Sequence, residues 1–276
     1  MKGEINMELK DYQMIGQGNT AEIYRIEDKK VLKLFRPGFN RDDMEREYQN
    51  SVLAQNTLDC VPRVYEKVEV DGRDGIIYEE ISGQDMLQLM LKSPLKIAKI
   101  SKEFARYHYA IQKPVDENLV TVKEKLFFDI DNGQFLSEEA KIKLRKYMDK
   151  LPDGEALCHF DFHPGNVMIV EGKPIILDWM TVCKGDICAD AARTSILLKY
   201  GQIEHASAFV KRLLAMGKKR ILKNYCKEYL KLTGVSMGDI AKWELPIAAA
   251  RLRESIPESE RKVLVEFVNK EISKLV

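Results

Sequence analysis

The segment LCHFDFHPGNV, residues 157–167, gathers His159, Asp161, His163 and Asn166 within eight positions. Three chemistries use such residue types. A zinc protease needs two histidines four apart on a continuing helix with an acid beside the first, as in H-E-x-x-H. His159 and His163 have that spacing, but Pro164-Gly165 forbids the helix. A nucleophilic triad needs a serine or cysteine in a G-x-S-x-G elbow, which the segment lacks. The spacing that fits is H-x-D-x-x-x-x-N, a loop for phosphoryl transfer. There Asp161 would orient an acceptor hydroxyl and take its proton. Asn166 would offer an oxygen to Mg2+, a hard ion that prefers oxygen ligands. Asp178, at the end of IILDW beyond a short hairpin, stands where a second oxygen ligand is needed. Each residue alone reads as a turn former or a packed histidine. Their joint spacing carries the chemistry.

HFDFHPGN followed by ILDW resembles the aminoglycoside phosphotransferase and choline kinase group of small-molecule kinases, which share a fold with protein kinases. That group shows H-G-D-x-H-x-x-N and then I-D-[WF], and here Phe160 stands at the usual glycine. The resemblance extends over nearly the whole chain and is sharp in residues 157–190. It implies a phosphate-covering turn, met by IGQGNTAEI with Gly16, Gly18, Asn19 and Thr20; Ala21 replaces a third glycine. Glycines let the backbone approach a nucleotide, and N–H groups there can hold phosphate oxygens. By the same resemblance, Lys33 in VLKLF contacts the α- and β-phosphates, with Glu47 rather than Glu45 as its acidic partner. The backbone of Glu79 and Ile81 in IIYEEISG would hold the base. His159, His163, Asp186 and Asp190 would support the catalytic loop, Asp190 by accepting its backbone N–H groups. His108 is expected to be a packing residue.

Two departures from protein kinases narrow the acceptor. Asp178 is followed by Trp179-Met180 rather than Phe-Gly, and only eleven residues separate it from Asp190, with no Ala-Pro-Glu. No segment is left to dock a peptide. The expected activity is therefore Mg2+-dependent transfer of the γ-phosphoryl group of ATP or GTP to a hydroxyl of an aminoglycoside, sugar or amino-alcohol. The alternatives are a nucleotide-binding regulatory pseudokinase or a protein Ser/Thr kinase. Residues 201–276 carry 15 Lys and Arg against 9 Asp and Glu, which weakens a polycationic acceptor, although Glu244, Glu254 and Glu258 could serve one.

The elements that must position these residues divide into two kinds. MIGQGNTAEIYRI and KKVLKLF read as strands. A helix over RDDMEREYQNSVLAQNTL follows, capped by Asn40, with Met44, Tyr48, Val52 and Leu53 on one stripe. VPRVYEKVEV and GIIYEEI then form a hairpin around Asp71-Gly72. Beyond a linker at Ile81-Ser-Gly83 the chain turns helical. SPLKIAKISKEFARYHYAIQK is expected to start at Ser93-Pro94, and SEEAKIKLRKYMDKL at Ser137. VMIV and IILDW make a second hairpin, and about four helices follow Asp186. This predicts an α+β, bilobal, protein-kinase-like fold. Residues 1–82 would be a nucleotide-binding lobe with a small antiparallel sheet and one helix, and residues 83–276 a larger, mainly helical lobe for catalysis and acceptor binding.

Composition sets the remaining limits. With 45% hydrophobic and 32% charged residues the chain is too apolar for disorder. A net charge of +1 gives no field for nucleic acid or membrane. No apolar run approaches the roughly 18–20 residues of a membrane span, and MKGEINMELK does not resemble a secretory signal. Five scattered cysteines without such a signal predict reduced thiols and a cytoplasmic protein. Cys183 and Cys188 have the wrong spacing for a zinc knuckle.

Overall fold

The computed structural model describes residues 9–18, 20–116, 118–201 and 208–275. In chain order the first elements are β1 (Gln13–Gln17), β2 (Ala21–Glu27), β3 (Lys30–Phe35), α1 (Arg41–Thr57), β4 (Val64–Val70), β5 (Arg73–Glu79) and β6 (Gln84–Asp85). Next come α2 (Met86–Lys92), α3 (Ile97–Ile111), α4 (Val122–Asp131), α5 (Glu138–Met148) and β7 (Ala156–Cys158). The strands β8 (Val167–Val170), β9 (Lys173–Ile176) and β10 (Cys183–Gly185) precede α6 (Ile187–Tyr200), α7 (Ala208–Thr233), α8 (Met237–Arg251) and α9 (Glu258–Ile272). By contacts the chain forms two compact units, Met1–Asp85 with Asn166–Thr181, and Met86–Gly165 with Val182–Val276.

The first unit is built on an antiparallel sheet of order β1-β2-β3-β5-β4. Its tight turns follow from residues that tolerate positive φ. Val70 pairs with Arg73 across Asp71 (φ 51°) and Gly72 (φ 70°), and Val170 pairs with Lys173 across Glu171 (φ 49°) and Gly172 (φ 80°). Two-residue loops with both residues left-handed match the twist of the strands they join. Strand alternation then sorts β3. Leu32 and Leu34 enter a cluster with Val70 and Ile77 on one face. Phe35 joins Ala21, Met44, Val64 and Ile76 on the other, between the sheet and α1. Lys33 shares the parity of Phe35 and so points to the helix side. A second sheet, β6-β8-β9, completes this unit.

Asn40 caps α1 as expected, its side chain accepting from the N–H groups of Asp42 and Asp43. The expected apolar stripe does pack on the core, with Met44 buried and Tyr48 and Val52 against the same cluster, but it is not the whole of the covered face. The inward face is Met44, Glu47, Asn50, Ser51 and Ala54, while Tyr48, Val52 and Leu53 are only partly covered. The polar residues are buried because each finds a partner: Asn50 Nδ2 donates to Met180 O at 3.1 Å, and Ser51 Oγ lies 3.0 Å from the Tyr78 hydroxyl.

The second unit is mainly helical. Phe104 and His108 of α3 meet Tyr225 and Tyr229 of α7, and Phe162 stacks on both Phe104 (4.7 Å) and His108 (4.2 Å). A two-stranded ribbon pairs β7 with β10, bringing the strand before His159 beside the strand before Asp186. Ser137 caps α5 through Ala140 N–H, and a Thr121–Glu124 capping box opens α4, a helix the sequence reading did not mark. One boundary is corrected. Ser93 makes no side-chain cap bond; Pro94–Lys96 forms a 3-10 turn, and α3 begins only at Ile97. Among the described residues no helix is long and apolar enough to cross a membrane.

Candidate active site

In the first unit, three charged side chains converge, the third of them more than a hundred residues along the chain from the other two. Lys33 Nζ lies 2.5 Å from Glu47 Oε1 and 3.6 Å from Asp178 Oδ1. Glu47 is 1% exposed, and its Oε1 also accepts the Tyr78 hydroxyl at 3.2 Å. Helical spacing decides which glutamate turns inward: Glu45, two residues earlier, faces out and pairs with Lys67. Burial opposes the charge on Lys33, but the carboxylates of Asp178 and Glu47 outweigh it and raise the pKa. Burial pushes the Glu47 carboxyl up against the pull of Lys33. The ammonium is therefore a fixed positive charge at neutral pH, gripped on two sides.

Asp178 follows the end of β9 with φ 62°, an uncommon conformation for a residue with a Cβ. Its side chain remains 44% exposed while contacting Lys33. Asn166 holds this turn from the other side, its carbonyl accepting the Leu177 N–H at 2.8 Å. Trp179 is buried and donates from Nε1 to Ile176 O at 2.9 Å. Asn166 and Asp178 thus sit in one unit, each with a hard oxygen of the kind Mg2+ prefers.

Gly16 lies on β1 at a register irregularity, and Gly18 follows the strand. Gly18 N–H donates to Ala21 O (2.8 Å), and its carbonyl accepts two bonds from Arg36, at 3.1 and 3.3 Å. Thr20 O accepts Arg36 N–H at 2.9 Å. Asn19 lies outside the described residues. A Cβ at Gly16 would meet nothing closer than 3.8 Å, and one at Gly18 nothing closer than 3.9 Å. Glu79 ends β5, with its N–H on Arg63 O (2.8 Å) and its carboxylate accepting Arg63 N–H (3.1 Å). Ile81 is partly buried in the irregular segment beyond it.

In the second unit the loop carrying Asp161 is held from below by α6. Asp190, fully buried, accepts from His159 N–H (3.2 Å) and Phe160 N–H (2.9 Å). It also meets His108 Nε2 (2.8 Å) and accepts from Gln112 Nε2 (3.0 Å). Burial disfavours its charge, but His108, Gln112 and the Phe160 N–H outweigh that and lower its pKa. Phe160 has φ 60°, the left-handed region that a glycine would occupy without cost. Asp161 N–H donates to His159 Nδ1 (3.2 Å), Gly165 N–H donates to His163 Nδ1 (3.1 Å), and His163 Nε2 lies 3.7 Å from Asp161 Oδ2. Asp186 works instead on its own helix and on α8: it caps α6 through Cys188 N–H and accepts Trp243 Nε1–H at 3.0 Å.

One residue here carries no sequence motif. Arg193, 5% exposed, donates from Nε to Phe160 O (3.0 Å) and from a terminal nitrogen to Asp161 Oδ1 (3.4 Å). Its only sequence signal is its place three residues after Asp190, hence on the same helical face.

The profile of the phosphotransferase enzyme family matches residues 11–223. No curated protein sequence matches the chain. Among solved structures, the amicoumacin kinase hAmiN in complex with AMP-PNP, Ca2+ and Ami superposes with a TM-score of 0.62 at 14% identity, over 98% of this chain and 90% of that one. Aminoglycoside phosphotransferase APH(2'')-Ib, ADP-bound, gives 0.56 at 15% identity, over 95% of this chain and 91% of that one. Choline kinase from Cryptosporidium parvum Iowa II gives 0.53 at 12% identity, over 96% and 89%. At such identities the likeness is one of fold, the protein-kinase-like class with a small antiparallel sheet unit and a mainly helical unit.

Proposed function

The chain belongs to the phosphotransferase enzyme family, and from that premise we propose that it moves the γ-phosphoryl group of ATP or GTP to a hydroxyl of a small acceptor. The observation that carries this reading is the partly buried Lys33 held between Glu47 and Asp178. A lysine fixed in that way is a point charge aimed at phosphate oxygens, and Asp178 beside it is a carboxylate left partly exposed.

In this reading residues 1–82 form the nucleotide-binding lobe and residues 83–276 the catalytic and acceptor-binding lobe. Lys33 holds the α- and β-phosphates, with Glu47 orienting it. Gly16, Gly18, Asn19 and Thr20 cover the phosphates. Gly16 and Gly18 have no positive φ, and the fold leaves room for a Cβ at each. Packing therefore does not require glycine there, whereas close approach of a nucleotide would. The backbone of Glu79 and Ile81 holds the base. Asn166 and Asp178 would hold Mg2+, and that ion, when bound, neutralises charge on the phosphates. Asp161 orients the acceptor hydroxyl and takes its proton as the oxygen bonds to the γ-phosphorus and the bond to the β-phosphate oxygen breaks. His159, His163 and Asp190 keep the loop in shape, and Asp186 acts at one remove by capping the helix that carries Asp190.

Among the acids of the C-terminal helices, Glu244 pairs with Lys199, Glu254 with Arg193 and Arg251, and Glu258 with Arg261. Glu258 stays 69% exposed, and it is the engagement of Glu244 and Glu254 that supports an acceptor less cationic than an aminoglycoside, such as a sugar or amino-alcohol. The test is an ADP-release screen with Mg-ATP and Mg-GTP against aminoglycosides, sugars and amino-alcohols. Acceptor-dependent ADP release is expected, lowered on the order of a thousandfold but still measurable in Asp161→Asn. Release that persists at the wild-type rate in Asp161→Asn would overturn the assignment of the base.

A further inference from the structure

Phe160 presents a problem that the loop must solve. A residue with a Cβ at φ 60° is strained, and such strain survives only where the surroundings over-determine it. Two side chains of α6, one turn apart, grip the two sides of this residue. Asp190 takes its N–H at 2.9 Å, and Arg193 Nε donates to its carbonyl at 3.0 Å. The carbonyl of Phe160 belongs to the peptide that leads into Asp161, so the second grip sets the direction in which Asp161 leaves the backbone. The same guanidinium then reaches the Asp161 carboxylate itself, at 3.4 Å.

Arg193 is in turn held. Glu254, in the bend between α8 and α9, accepts from both its terminal nitrogens, at 2.7 and 3.1 Å. Arg251 donates to Glu254 at 2.7 Å and to the buried Glu260 at 2.6 Å, which anchors Glu254 to α9. An Arg–Glu pair with a buried guanidinium and a partly exposed carboxylate is by itself ordinary electrostatics. This one differs in that the guanidinium spends two of its bonds on one short stretch, the strained carbonyl and the carboxylate that follows it.

We propose that Arg193 is a positioning residue for Asp161, and that Glu254 fixes Arg193 in the orientation that does this. The proposal rests on the reading of Asp161 as the group that takes the acceptor proton. Arg193 touches no reacting atom; it acts through the angle and place of the Asp161 carboxylate. Glu254 accordingly belongs to the machinery behind the base rather than to a binding site for acceptor amines.

The test is a set of variants, Arg193→Met, Arg193→Lys and Glu254→Gln, each made alone and in the Asp161→Asn background. They are assayed with Mg-ATP and the best acceptor of the screen above, and with Mg-ATP and water alone as acceptor. Misplacing a reacting group by about 1 Å costs on the order of a hundredfold in rate. Arg193→Met should therefore lower kcat on the order of a hundredfold, with the KM for ATP and the thermal shift on adding Mg-ATP unchanged. Arg193→Lys, which keeps the charge, should recover part of the loss, and Glu254→Gln should show a smaller one. In the Asp161→Asn background none of the three should lower kcat further, since residues acting as a unit are not additive. Equal fold-losses in both backgrounds overturn the proposal, as does a folded Arg193→Met with wild-type kcat. Should Arg193→Met not fold, Arg193→Lys and Glu254→Gln decide by the same comparison. Loss of kcat in Asp161→Asn with full kcat in the Arg193 variants sinks the positioning role alone; full kcat in Asp161→Asn sinks the reading of the base beneath it.

Discussion

Replacing Phe160 by glycine and by alanine separates backbone strain from packing. Phe160 is 2% exposed, so either change deletes a buried ring at a cost of about 3–5 kcal/mol relative to the native chain. That loss is common to both variants and cancels when they are compared with each other. The remaining difference is one Cβ. At an ordinary position glycine is less stable than alanine by about 0.5–1 kcal/mol, because its unfolded chain is freer. At φ 60° the Cβ crowds the backbone, and an L-residue is disfavoured by about 1–2 kcal/mol. The torsion cannot relax, since Asp190 and Arg193 hold both flanking peptides. The second effect exceeds the first, so Phe160→Gly should be the more stable variant by about 0.5–1 kcal/mol. For a domain of this size that separates the melting temperatures by about 1–4 °C, read by circular dichroism in one buffer. An alanine variant as stable as the glycine variant, or more so, refutes the strain argument.

Other perturbations test the rest of the site. Lys33→Met leaves Glu47 buried without its cation and should destabilise by about 3–5 kcal/mol, whereas adding Glu47→Gln should recover about 1–3 kcal/mol of that in a urea-unfolding cycle. Strict additivity of the two changes would contradict the pairing. Gly16→Ala and Gly18→Ala should shift stability by less than about 0.5 kcal/mol, given the open space at both, while raising the KM for ATP several-fold. A large loss of melting temperature with an unchanged KM would show a folding role instead. Asp190 has its folded pKa lowered below 3.8, so its contribution is complete above pH 3.8 and is lost as pH falls through the folded value. Wild-type melting temperature should therefore drop more steeply below about pH 4 than that of Asp190→Asn; parallel curves would remove Asp190 from the acid response.

The elements legible in the sequence were those whose signals are local. Asp71-Gly72 and Glu171-Gly172 mark hairpins because their backbone angles require such residues, and Asn40 and Ser137 mark helix starts because their side chains bond the next turn. Ser93 misled because a serine before a proline has the form of a cap without making the bond. The stripe expected on α1 does meet the core, and the polar residues buried beside it were illegible for a tertiary reason. Its buried face carries Glu47, Asn50 and Ser51, whose partners Lys33, Met180 and Tyr78 lie elsewhere in the chain. The ribbon of β7 and β10, with three residues in each strand, is too short for any periodicity to show. In the candidate site, a motif with fixed spacing could draw attention to residues 159–166. Nothing local distinguishes Arg193 from a surface arginine, because what makes it unusual is Glu254, sixty-one residues further on.

The first unit also fixes an order in time. Its second sheet joins β6, at residues 84–85, to β8, at residues 167–170, and Ile176 N–H closes onto Cys60 O at 2.7 Å. A ribosome adds roughly 5–20 residues each second, so about 4–17 s pass between the emergence of β6 and of its partner strand. Through that interval β3 and α1 supply Lys33 and Glu47, but neither Asn166 nor Asp178 has been made. A chain arrested before residue 166 would hold Lys33 and Glu47 without either residue proposed for Mg2+, so this unit is completed only by the last piece of it to be translated.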